Sequence, residues 1–74
     1  MQDFKNYNVK IRNRIRKFRK QKNISQEKLA ELIDSSREHV NRMEKGKDNI
    51  SLEFFIKLAQ VFNVSLDELA GFEK

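Results

Sequence analysis

Apolar residues recur along most of this chain at spacings of three and four. That pattern predicts helices throughout, because positions i, i+3 and i+4 share one helical face, whereas a half-buried strand needs a period of two. Ile11, Ile15 and Phe18 mark the inner stripe of a first helix over residues 9–21. Phe4 and Tyr7 carry the same spacing upstream, so this helix starts either near Asp3 or later, with Asn8 as its cap. Leu29, Ala30, Leu32 and Ile33 give a second segment its buried side, and Val40 and Met43 do so for a third. Over residues 51–62 eight of twelve positions are apolar, more than one face requires. Leu52, Phe55, Ala59 and Phe62, helped by Leu58, already complete a stripe there, so the surplus has to be covered by something else. Leu66, Leu69 and Ala70 suit a short fifth helix.

The polar residues between these stripes punctuate them. Ser25, Ser51 and Ser65 are N-caps, and Ser65-Leu66-Asp67-Glu68 forms a capping box, in which serine and glutamate each satisfy a backbone N–H at the helix start. Asn23 suits the left-handed position after the first helix, and Gly46 and Gly71 do the same after the third and fifth. Asp34-Ser35-Ser36 breaks the pattern between the second and third segments, where short polar side chains compete for backbone hydrogen bonds. Ser35-x-x-Glu38 also fits a capping box, which leaves Glu38 two alternatives: folding back onto the helix start or pointing outward. With no proline and two glycines, the chain has no linker-like stretch.

Residues 25–46, SQEKLAELIDSSREHVNRMEKG, are the stretch on which the rest is organised: two short amphipathic helices joined by a tight turn. If Val40 and Met43 point inward, Arg37, Glu38, Asn41 and Arg42 share the outward side. These side chains match base edges: Arg forks onto guanine, Asn pairs with adenine, and Glu accepts from the amino group of cytosine.

SQEKLAELI, then SSREHVNRMEKGK, then SLEFFIKLAQVFNVSLDEL resembles the helix-turn-helix domain of the phage repressor and Cro type, over residues 11–69. DNISLEFF after Gly46 also resembles the controller proteins of restriction-modification systems. The resemblance implies an all-α, five-helix, lambda-repressor-like bundle with the helix-turn-helix in its second and third helices. Residues 9–72 would form that domain and residues 1–8 an N-terminal extension. It further implies a transcriptional regulator that binds a palindromic operator in double-stranded DNA as a homodimer, with residues 36–45 in the major groove. Arg19 is then expected to pair with Glu44. Gln26, Ser36, Arg16, Lys45 and Lys47 are expected at phosphates, while Arg37, Asn41, Arg42 and, in one of its alternatives, Glu38 read bases. Two residues depart from the pattern, Asp34 where glycine is usual and Ser35 where a buried aliphatic is usual, so the turn is expected to survive with less apolar contact. Phe54 stands where the family carries a polar residue. With Val61, Leu66 and Phe72 it is expected to contribute to a symmetric contact between two copies.

Charge sharpens this picture. Net charge is +5, yet residues 1–22 hold nine basic groups against Asp3 alone, while the remainder holds seven basic against ten acidic groups. Such asymmetry suits a polyanionic partner. It also allows a rival function, a protein-interaction or membrane-surface module built on a basic amphipathic helix at residues 9–22. No apolar run reaches the roughly 18 residues a bilayer span needs, the start is polar rather than signal-like, and cysteine is absent, so a cytoplasmic regulator is expected. His39 is the single histidine, there is no glycine-rich phosphate loop, and no metal site, cofactor or small-molecule ligand is evident, so an enzyme is not expected.

Overall fold

The structure, a computed structural model, describes residues 4–72, with side chains described from Tyr7 onward; the place expected for Phe4 on the inner stripe lies outside that range. Five helices follow one another: α1 Phe4–Gln21, α2 Gln26–Leu32, α3 Arg37–Glu44, α4 Leu52–Phe62 and α5 Leu66–Ala70. Of the two starts left open for the first helix, it takes the earlier, and residues 4–8 are its first turn. There Tyr7 rests against Phe72, with ring centroids 5.0 Å apart, so both ends of the described chain meet.

Helices α2–α5 begin, and all five helices end, for a local reason. Ser25, Ser36, Ser51 and Ser65 adopt extended backbone and accept from the N–H three residues on. At the other end, all five helices close with the same pair of reversed hydrogen bonds. After α2, for example, Asp34 N donates to Glu31 O at 3.2 Å and Ser35 N to Ala30 O at 2.7 Å. The residue that turns each corner is left-handed: Asn23, Asp34, Gly46, Asn63 and Gly71. Four of these follow from the sequence reading, and Asn63 is an addition. Asp34 therefore does the work of the usual glycine, at φ +58°.

The core is small. Ile15, Leu29, Ile33, Val40, Met43, Leu58, Phe62 and Leu69 are its fully enclosed side chains. Each such side chain contributes about 1.5–3 kcal/mol. A domain of this size retains only about 5–15 kcal/mol in total, so the loss of any one of them is felt globally. Helix α2 packs on α3, and α1 lies across α3, α4 and α5. Two expected inner positions are turned outward: Leu32 is 47% exposed and Leu52 is 71% exposed. The reason is geometric. Leu58, Ala59 and Phe62 already fill the inner side of α4, which leaves Leu52 in its first turn beyond the core's edge.

Candidate nucleic-acid interface

Helix α3 is held from behind by apolar contact and by one buried charge. Val40 and Met43 are fully covered, as expected, and beside them Glu44 is buried to 4% exposure. A carboxylate so far from water requires partners. Arg19, from the last turn of α1, supplies two parallel bonds, Nε to Oε2 at 2.7 Å and Nη2 to Oε1 at 3.0 Å. Its Nη1 donates to Ile24 O at 3.0 Å, which ties the α1–α2 corner to the same point. Gln26 adds a third donor, Nε2 to Oε1 at 3.2 Å, and its own oxygen accepts from Asn41 Nδ2 at 3.3 Å. The amide of Gln26 thus joins the buried ion pair to the outer side of α3. One Nε2 hydrogen is left over for any phosphate.

The Ser35-x-x-Glu38 capping box does not form. Ser36 caps α3, accepting from His39 N at 3.1 Å, so the third helical position is His39 and Glu38 stays in the outward first turn. Ser35 instead meets the ring of His39, Oγ to Nδ1 at 2.7 Å, and this replaces the aliphatic contact missing from the turn. The other side of that ring meets Phe54 edge-on, centroids 4.8 Å apart.

Arg37 and Glu38 are exposed and, with the half-buried Asn41, line a shallow depression of about 480 Å³ on the outer side of α3. Asn41 keeps its Oδ1 and one Nδ2 hydrogen, the acceptor and donor that an adenine edge matches. Arg42, the fourth candidate base reader, has a partner the sequence did not suggest: Asp48 lies across the turn after α3, joined by two bonds of 2.9 Å. The Arg42 hydrogen bond, followed by Arg42's charge, holds the Asp48 carboxyl below its ordinary range, against partial desolvation.

Three arginines of α1 stand close to α3. Arg19 is internal, and Arg12 Nη1 donates to Lys45 O at 3.0 Å, closing the C-terminal end of α3. Arg16 stays half exposed, with Nε 3.9 Å from Glu44 Oε1, and so projects beside α3. Lys45 and Lys47 are exposed on either side of Gly46, and the Ser36 hydroxyl keeps its hydrogen for an acceptor. Sequence reading missed the roles of Arg12 and Asp48 because both depend on the turn at Gly46, which brings together residues outside any helical spacing.

Of the residues expected between two copies, Phe54 and Val61 are half-buried and pack on the core of their own chain, whereas Leu66 and Phe72 are exposed. Leu52 and Ile56 are also exposed, so the open apolar surface of α4 is centred away from Phe54.

The chain matches the helix-turn-helix family model over residues 15–69. It is 39% identical over 64 residues to an HTH-type transcriptional regulator of Archaeoglobus fulgidus, spanning 86% of this chain and 90% of that one. It is likewise 39% identical over 64 residues to the control protein C.MunI of a Mycoplasma species, spanning 82% and 86%. Its fold is similar to the restriction-modification controller protein C.AhdI from Aeromonas hydrophila, with a TM-score of 0.78 and 39% identity over 84% of this chain and 94% of that one. With the five-helix order and the anchored α3 described above, these matches place the chain in the helix-turn-helix family of DNA-binding transcriptional regulators.

Proposed function

We propose that this chain binds a palindromic operator in double-stranded DNA as a homodimer and regulates transcription from it, with residues 9–72 as the DNA-binding unit. The observation that carries the reading is the division of α3 into two sides. Val40, Met43 and Glu44 are enclosed, while Arg37 and Glu38 are open and Asn41 stands half open beside them. A helix with a locked inner side and hydrogen-bonding groups outside can enter a major groove without rearranging the bundle. Arg37, Glu38, Asn41 and Arg42 would select the sequence. Arg16, Gln26, Ser36, Lys45 and Lys47 would contact phosphates and supply affinity that falls with salt.

The second copy would meet the first across α4 and α5. Leu52, Ile56, Leu66 and Phe72 are exposed apolar groups on these helices and at the end of the described chain, and Phe54 and Val61 would contribute their uncovered edges. A two-fold contact there sets the two α3 helices about 34 Å apart, one turn of DNA. The likeness to a restriction-modification controller supports regulation of such a system as the setting.

The membrane-surface form of the rival, a basic amphipathic helix over residues 9–22, needs a free apolar face on α1. Ile15 is fully buried and Ile11 and Phe18 pack against the core, so that face is occupied. Selection of bound duplexes from a random pool tests the reading. Two inverted half-sites one turn apart are expected; bound sequences with no shared pattern would remove it.

A further inference from the structure

Arg42 and Asp48 form a closed fork. Arg42 Nε donates to Oδ2 at 2.9 Å and Nη2 to Oδ1 at 2.9 Å, which uses the side edge of the guanidinium. The backbone fixes where Asp48 stands. Gly46 turns the chain at φ +76°, and Lys47 N donates to Arg42 O at 2.9 Å, so the loop carrying Asp48 is pinned to Arg42's own carbonyl. Arg12 steadies the same loop through Lys45 O. The carboxylate therefore holds its arginine from a built position.

A guanidinium has five N–H donors in one plane. The fork to Asp48 takes two, and the two hydrogens of Nη1 and one of Nη2 remain. One hydrogen of Nη1 and the one of Nη2 lie on the end edge, where they form a second parallel pair. Guanine presents two acceptors, N7 and O6, that such a pair matches. One arginine can therefore hold a carboxylate on its side edge and a guanine on its end edge together. Lysine, with three donors on a single ammonium, cannot hold both in one plane.

We propose that Asp48 is a specificity-determining positioning residue: it orients Arg42 so that the free end edge of the guanidinium faces guanine in the major groove. The inference rests on the reading of α3 as the base-reading helix and adds a residue outside α3 to its specificity. It also separates Arg42 from Arg37, which has no such clamp among the described contacts. Without the carboxylate, Arg42 keeps its charge and its reach, and turns to whichever acceptor is near, phosphate included. The expected loss is therefore of discrimination more than of affinity.

The test uses the full chain and the duplex chosen by selection, with each guanine replaced in turn by 7-deazaguanine, which lacks the N7 acceptor. Wild type is expected to lose on the order of tenfold affinity at the guanine that Arg42 reads. In D48N and D48A that penalty is expected to shrink to about twofold or less while penalties at other positions persist, and R42K is expected to behave alike. Melting curves of D48N and D48A control for folding, since the pair lies at the surface. If D48A keeps the full penalty, or binds the intact duplex more tightly with the penalty unchanged, Asp48 only restrains or masks Arg42 and the proposal fails. If no guanine shows a penalty that depends on Arg42, it fails as well. A wild-type chain that selects no duplex at all is a different outcome, which sinks the proposed function itself.

Discussion

Arg19 reaches from the last turn of α1 to grip the buried carboxylate of Glu44 with two bonds, 2.7 and 3.0 Å long. The pair sits behind the outer side of α3, so the element proposed to meet DNA is fixed to the helix that packs across it. Removing one member leaves the other charged and far from water, which costs about 3–5 kcal/mol. Arg19→Met and Glu44→Gln are each expected to lower stability by amounts in this range, and the double variant by much less than their sum. Denaturation of the four proteins in a double-mutant cycle measures that coupling. Additive effects would mean that the two side chains stabilise the fold independently.

Gln26 links this pair to Asn41, and a link of that kind has a different signature from a phosphate contact. Gln26→Ala is expected to cost about 1 kcal/mol in stability and to relax preference at the base pair that Asn41 reads. A uniform weakening on every duplex, with a shallower dependence on salt, would assign Gln26 to phosphate instead. Binding profiles at two salt concentrations tell these apart.

Gly46 is constrained twice. Its φ of +76° disfavours a side chain, and a Cβ there would overlap the guanidinium of Arg12. Gly46→Ala is expected to cost about 1–2 kcal/mol for the left-handed backbone alone, and more for displacing Arg12 from Lys45 O. In an Arg12→Ala background only the backbone part should remain, so the glycine substitution should cost less there. Thermal melts of the two single variants and the double variant read this directly.

The Asp48 carboxyl has its proton affinity lowered by the Arg42 hydrogen bond first. A carboxyl more acidic in the folded chain than in the unfolded one stabilises above its ordinary range, near 3.8, and loses that contribution as the pH falls through the lowered value. The pair is therefore expected to stay intact from neutrality down to about pH 5. Preference at the Arg42 base pair should be constant over that range. Titration of Asp48 followed by NMR, beside binding profiles at pH 5.5 and 7.5, checks both statements.

The sequence carries the helices and their ends legibly, because caps and left-handed corners are local chemistry: a serine or an asparagine acts on the next few residues wherever it stands. The buried side of α3 is legible from the spacing of Val40 and Met43, and the pairing of Arg19 with Glu44 from the resemblance to a known pattern. What stayed hidden depends on the path between elements. Leu52 fits a helical stripe, yet the first turn of α4 projects past the core. Arg42 looks free on α3 until the turn at Gly46 swings Asp48 back toward it. Arg12 looks like one more solvated cation until the end of α3 arrives beneath it. Asn63 follows α4 as an asparagine suited to the same left-handed corner as Asn23, a parallel that the sequence does contain.

The most direct test of the account is the base-preference profile of Arg37→Ala set beside that of wild type, measured over all single-base changes in the selected duplex. The outer side of α3 is proposed to read sequence, so the variant should lose about 1–3 kcal/mol of discrimination at one base pair in each half-site and keep its preferences elsewhere. An equal loss of affinity on every duplex, or a profile identical to that of wild type, would contradict it.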